Sequence, residues 1–272
     1  NGSKRIALLH QDLGIHDQFL PWIQSFWSAE GFALESWARP FGFLMDEDIE
    51  RAIQEDLGGV MVLPYQSFPD RDQLERLGEK VPLVIMNHDL MVTRADFAPF
   101  DHERESALAT EHLIKLGCRR IGHFGVGTAD PDTISHIRGY FCAMFKNGLE
   151  PKAMDLGFTV VAGETNFDCE SFVSRLFTPT PPQGLVLFTD LYAAQIVDAI
   201  EACGLIIGTD LHIVVIGNDF PVKSASGSVP TMTIAANDLM KLASEMLLAR
   251  IRRPDSPYQR RLVSIAESPI TL

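Results

Sequence analysis

With 272 residues, 46% of them apolar and 22% charged, the chain suits one large domain or two medium ones. A net charge of −13 repels phosphate backbones, so these residues are not expected to bind nucleic acid by themselves. No apolar run is long enough to span a bilayer and nothing at the start reads as a signal peptide. Cys118, Cys142, Cys169 and Cys203 lie far apart with no C-x-x-C pair, which reads as reduced thiols in a cytoplasmic protein, not as a disulfide framework or a zinc site. Asn1, Gly2 and Ser3 read as a tag remnant and are left out of the fold argument.

In chain order, a short buried strand is expected at Ile6–Leu9. A helix over residues 17–30 follows. Its Phe19, Trp22, Ile23 and Phe26 form one apolar stripe, with Leu20 and Trp27 beside it. Apolar residues on most of its circumference point to burial on two sides, with a subunit interface preferred over a fully internal helix. Strands are then expected at Phe32–Trp37, Val60–Leu63 and Leu83–Met86. Residues 112–125, HLIKLGCRRIGHFG, read as a helix stopped by Gly117, a polar turn and a strand at Ile121–Phe124. Further strands are expected at Phe158–Val161, Leu185–Phe188 and Ile213–Ile216. Ala193, Ile196, Val197 and Ile200 form a helical face that stops at Gly204. Leu239, Leu242, Ala243 and Met246 form another, capped by Asn237 or Asp238 and ended before Pro254.

Such alternation implies an α/β fold with parallel sheets covered on both faces. The helix–glycine–strand phrase ending at Gly125 recurs more loosely at Gly217, so two similar doubly wound halves are expected, with a ligand cleft between them. Ligands of open parallel sheets gather at the carboxyl ends of strands.

Catalytic signatures are lacking. There is no phosphate loop, no H-E-x-x-H and no G-x-S-x-G. Gly125-Val126-Gly127 lacks the third glycine of a dinucleotide fingerprint, and the eight histidines show no metal spacing. His10 with Asp12 and His88 with Asp89 are neighbours that point apart in an extended chain, a weak basis for acid–base pairs. No enzyme, metal or cofactor is expected.

Five phrases, in order, carry a resemblance. They are Leu116–Ile121 (LGCRRI), His136–Met144 (HIRGYFCAM), Phe188-Thr189-Asp190, Ile216–Phe220 (IGNDF) and Pro230–Ile234 (PTMTI). Together they resemble the effector-binding, periplasmic-binding-protein-like domain of lactose-repressor/galactose-repressor (LacI/GalR) transcription regulators, over nearly the whole chain from Lys4. The resemblance implies two α/β subdomains, placed at residues 4–126 with 236–260 and at 127–235 with 261–272. It implies a homodimer whose geometry responds to a small-molecule effector, and operator DNA bound only through an N-terminal helix-turn-helix that these residues do not include. An extracytoplasmic sugar-binding protein of a transport system is the alternative, since fold does not separate the two.

The expected effector contacts are strand-end residues. In the first half these are Asp12, Gln18, Phe19, Tyr65, Asn87 and Asp101, beside His10 and Gln11; in the second they are His136, Phe167, Asp190 and Asp219, beside Thr189. Asp219 matches the family aspartate that accepts hydrogen bonds from the effector. Phe19 and Phe167 offer flat apolar faces to a sugar or base. Each has a plainer reading: Asp190 as a helix cap, Asp12 and Asp101 as turn closers, Phe167 as core. In the family, an arginine stands three residues before the glycine of the Gly-Tyr phrase; here that place is His136. Without its bidentate fork, a neutral sugar or related polyol is favoured over an anion, ahead of a purine or nucleoside.

Overall fold

The computed structural model describes residues 3–12, 16–40, 45–64, 69–88, 90–126, 131–152, 155–159, 168–178, 181–188, 192–217, 222–233, 236–263, 265 and 270–271. The chain divides into two compact units, residues 1–100 with 235–264 and residues 101–234 with 265–272.

The first unit contains β1 (Arg5–Asp12), α1 (His16–Ala29), β2 (Ala33–Pro40), α2 (Asp46–Gln54), β3 (Gly59–Leu63), α3 (Arg71–Lys80), β4 (Leu83–Asn87) and β5 (Asp96–Pro99). All five strands are parallel, in the order β2-β1-β3-β4-β5. β3 and β4 are buried at every residue, so they read as unbroken apolar runs, as strands covered on both faces do. On one face Leu9, Val60, Val62 and Ile85 pack with Ile49, Leu74 and Leu77 of α2 and α3.

The second unit continues with α4 (His102–Lys115), β6 (Ile121–Val126), α5 (Pro131–Lys146), β7 (Leu156–Thr159), α6 (Cys169–Leu176), β8 (Gly184–Phe188), α7 (Ala193–Ala202) and β9 (His212–Ile216). A small hairpin, β10 (Lys223–Ser224) and β11 (Gly227–Ser228), precedes β12 (Thr231–Met232). The chain then adds α8 (Ala236–Arg252) to the first unit and returns to the second with β13 (Ile270–Thr271). The second sheet runs β13-β12-β9-β8-β6-β7, with only β13 antiparallel. Counted within each unit, both sheets have the parallel order 2-1-3-4-5, which is the physical form of the repeated phrase seen in the sequence.

Three expectations need correction. Residues 101–126 were expected in the first unit, but β6 hydrogen-bonds to β7 and β8, and Leu113 of α4 packs with Ile121 and Val214. The division falls at Phe100/Asp101, and the C-terminal return at Ser264/Ile265 instead of 260/261. The strand expected at Phe158–Val161 begins earlier, at Leu156, and residues 160–161 lie outside the description.

β5 was not anticipated. It reads Asp-Phe-Ala-Pro, with a charge and a proline where strands seldom carry them. The charge is matched: Asp96 and Arg250 of α8, both buried, form a fork-on-fork pair with two contacts of 2.9 Å. Arg250 also donates to the carbonyls of Pro254, Ser256 and Pro257, and its guanidinium lies 4.4 Å from the centre of the Tyr258 ring. Asp96 in turn accepts from the Gln259 amide at 2.7 Å. The pair therefore fixes the segment that leaves α8 against the edge of the first sheet.

Of the apolar helix, α1 buries Ile23 and Trp27 completely, while Trp22 is 42% exposed and stacks on Phe26 at 5.5 Å. No described helix is long and apolar enough to cross a membrane.

Candidate functional site

Within each unit the strand order reverses between its first and third strands, and polar residues follow there. In the first unit Asp12 ends β1, and Tyr65 follows β3. In the second, Thr189 and Asp190 follow β8. Asn87 ends β4, Phe167 lies after β7 and Asp219 lies after β9. In sequence, all the expected contacts except Gln18, Phe19, Phe167 and His136 thus fall within parallel strands or within three residues after them. Tyr65, Phe167, Thr189, Asp190 and Asp219 lie outside the described residues, as do the side chains of Asp12, Gln18 and Phe19; Gln18 and Phe19 belong to the backbone of α1.

The remaining candidates are described. Asn87 is buried and has φ 67°, the left-handed region that asparagine tolerates better than most residues. Its Nδ2 lies 2.9 Å from His88 Nε2. His10 is buried against Ser36, Nε2 to Oγ 2.7 Å. Asp101 caps α4, its carboxylate accepting from the Arg104 amide at 3.1 Å, which is the turn-closing role.

His136 is placed by the packing of α4 on α5. A Cβ at Gly139 would lie 2.0 Å from the Glu103 carbonyl oxygen, so the two helices approach as closely as they do only because position 139 is glycine. Tyr140 beside it donates its buried hydroxyl to the Ile121 carbonyl at 2.7 Å. The other end of α4 is closed by Gly117, φ 93°: the Cys118 amide donates to Leu113 and the Gly117 amide to Ile114, a Schellman motif. The amides of Arg119 and Arg120 then donate to Gln183 Oε1, and Arg120 Nε donates to the buried Asp155 at 2.8 Å. The LGCRRI and Gly-Tyr phrases are therefore structural fasteners of the second unit.

This packing brings five side chains together. His102 and Glu105 are one turn apart on α4, and Asp132 and His136 one turn apart on α5; His123 comes from β6. His102 Nδ1 lies 2.8 Å from Glu105 Oε2 and its Nε2 lies 3.3 Å from Asp132 Oδ2. His136 Nε2 lies 3.9 Å from Glu105 Oε2, and its ring stacks on Phe188 with centroids 3.7 Å apart. Both ring nitrogens of His136, and both of His123, are buried without a hydrogen-bond partner among the described residues. Burial works against charge on His102, but Asp132 and then Glu105 outweigh it and hold its pKa well above the usual histidine range. His136 is pushed well below that range by burial, then by His102 and His123. Burial alone takes His123 down to about 3.

The sequence assigned His136 to the effector as a strand-end contact. The structure puts it on a helix, fully buried, in the His102–Glu105–Asp132 group. That group was missed, although H-x-x-E at 102–105 and D-x-x-x-H at 132–136 are same-face helical spacings. What hid it was the separation of the two pairs, which only the close approach at Gly139 removes.

The description "periplasmic binding protein-like domain" matches residues 110–268. An arabinose metabolism transcriptional repressor from Geobacillus stearothermophilus is 27% identical over 216 residues, 76% of this chain and 58% of the repressor. The HTH-type transcriptional repressor PurR of Aliivibrio salmonicida is 31% identical over 206 residues, 73% of this chain and 58% of the repressor. The chain thus spans a little over half the length of these relatives, which are repressors and not enzymes. Among solved structures, a periplasmic binding protein/LacI transcriptional regulator from Alkaliphilus metalliredigens, complexed with D-xylulofuranose, superposes with a TM-score of 0.73 at 16% identity, covering 99% of this chain and 98% of that one; at that identity the likeness is one of fold.

Proposed function

This chain belongs to the periplasmic binding protein-like domain family, and on that premise we propose that it is the effector-sensing and dimerising part of a LacI/GalR-type transcription regulator. The observation that carries the proposal is the pair of parallel sheets of identical strand order, with polar residues next in the sequence after the switch-point strands. Sheets of this kind take ligands there. Two relatives regulate transcription, and one structural neighbour holds a sugar.

The effector is a small polar molecule, a sugar or related polyol ahead of a purine or nucleoside. Asp219 accepts its hydrogen bonds, with Asp190, Asp12 and Tyr65 as further polar contacts and Phe167 and Phe19 as ring faces. Asn87 and Asp101 are further candidate contacts. DNA contact is assigned to a helix-turn-helix beyond these 272 residues, since a net charge of −13 opposes phosphate contact. The four free cysteines, of which Cys142 and Cys203 are exposed, suit a reducing cytoplasm better than the extracytoplasmic sugar-binding alternative.

A thermal-shift screen of sugars, polyols and nucleosides tests the proposal. A ligand at a hundred times its Kd adds about 2.7 kcal/mol of stability. Calorimetry on that ligand should show Asp219→Asn weakening binding about ten- to a hundredfold, since a charge-assisted hydrogen bond contributes roughly 1.5–3 kcal/mol. Parent-like affinity in Asp219→Asn overturns the assignment of this residue, and turnover of the ligand would recast the chain as an enzyme.

A further inference from the structure

We propose that His102, Glu105 and His136 form a binding site for one divalent transition-metal cation, Zn2+ by donor chemistry, where the first turns of α4 and α5 meet, with Asp132 holding His102 from behind.

Three observations converge on it. The first is geometry. One donor atom from each of the three side chains lies within 4.8 Å of the others. Zinc bonds of about 2.0–2.2 Å at tetrahedral angles set donor atoms ~3.4 Å apart. The observed separations of 2.8 Å (His102 Nδ1 to Glu105 Oε2) and 3.9 Å (His136 Nε2 to Glu105 Oε2) straddle that value and the third lies within 4.8 Å, so side-chain adjustment brings the donors to a common centre.

The second is the orientation of the rings. A histidine that ligates a metal through one nitrogen commonly gives its other N–H to a carboxylate, which fixes tautomer and direction. His102 is placed for this, with Nδ1 2.8 Å from Glu105 and Nε2 at an ion-pair distance of 3.3 Å from Asp132. His136 is fully buried, has no hydrogen-bond partner at either nitrogen among the described residues and is locked face-on to Phe188. Leaving two buried ring nitrogens without a partner is costly in a protein interior. A bond from Nε2 to a metal gives the ring a partner while Phe188 keeps its angle.

The third is charge. Glu105 and Asp132 bring two buried carboxylates to the same place, the charge that a bound dication would meet. The positive ends of α4 and α5 oppose a cation, but that effect is weak beside direct ligation by a carboxylate and two imidazoles. Two nitrogens and one oxygen are donors typical of Zn2+ and of neighbouring late first-row dications, and three protein ligands leave a fourth position for water.

The inference does not rest on the effector reading, and its test uses no effector. Protein stripped with a chelator and dialysed is titrated with ZnCl2 in a calorimeter, and Co2+ is added to a second sample to read its visible absorption. One equivalent is expected to bind, with a four-coordinate Co2+ spectrum. His136→Phe keeps the ring on Phe188 while removing both nitrogens, so it should fold and lose the stoichiometric site. Glu105→Gln provides the same reading should His136→Phe fail to fold. Asp132→Asn should keep the site and weaken it about ten- to a hundredfold, the usual effect of losing an outer-shell partner. Absence of one-equivalent binding in the parent overturns the proposal. So does parent-like binding in His136→Phe or Glu105→Gln, which would assign the metal to surface histidines and carboxylates.

Discussion

Replacing Arg250 with methionine should destabilise the first unit severely, and the structure sets the size of the effect. Methionine fills much the same volume, so the change deletes charge and donors without opening a large cavity. What remains is Asp96, 3% exposed, with its carboxylate stripped of both guanidinium contacts and left with the Gln259 amide as a donor. Removing one partner of a buried ion pair costs about 3–5 kcal/mol, because the surviving charge has no compensation. The loss should not stay local. The carbonyls of Pro254, Ser256 and Pro257 lose their donor, and the bridge between Phe97 and Arg260 loses the segment that delivers it. For a unit of this size 3–5 kcal/mol lowers Tm by on the order of 10–20 °C. Calorimetric scans of parent, Arg250→Met and the double variant Arg250→Met/Asp96→Leu provide the assay. The double variant should recover most of the loss, since an apolar pair of similar volume often replaces a buried ion pair at little cost. A single variant within 1 kcal/mol of the parent, as judged against that range, would refute the reasoning and reduce the pair to a bystander.

Three further outcomes are expected. Gly139→Ala should destabilise the second unit by several kcal/mol, on the order of a severe core substitution, because its Cβ would lie 2.0 Å from the Glu103 carbonyl oxygen, which is backbone and cannot swing aside; urea unfolding followed by circular dichroism measures it. Sedimentation at tens of micromolar, a concentration chosen roughly where homodimers of ordinary affinity are assembled, should show a dimer, and Trp22→Arg should shift it toward monomer, because Trp22 is a large exposed aromatic on α1, whose Ile23 and Trp27 are buried; a monomeric parent counts against the interface. A gel-shift assay with duplex DNA should show no specific complex, given the net charge of −13.

The scaffold was legible because its signals are local. β3 and β4 are buried on both faces, so each is a plain apolar run bounded by turn residues. The stop at Gly117 and the polar turn after it were equally plain, since glycine is the residue that takes φ 93° without strain. β5 was missed because Asp96 and Pro99 argue against a strand until Arg250, 154 residues away, is known to sit beside it. The unit boundary was misplaced for a related reason. Nothing in the sequence of α4 states that its buried face belongs to the sheet that follows it and not to the one before; only the fit of Leu113 against Val214 decides that.

His136 shows how a family correspondence and the local physics part company. Position for position it stands where a ligand-contacting arginine is expected, and from the sequence its loss reads only as a weaker grip on an effector. In the structure the replacement does not act alone. Glu105, His102 and Asp132 form a group around it in which an arginine fork would have to share space with His102. A long, permanently charged donor suits a place that opens toward an anion; a short ring whose buried nitrogens have no hydrogen-bond partner among the described residues suits a place that encloses a cation. Reading that replacement as a lost contact considers one residue. Read with its three neighbours, it is an exchange of one recognition chemistry for another, and the zinc titration of His136→Phe separates the two accounts, since a lost effector contact gives no reason for the parent to take up a metal.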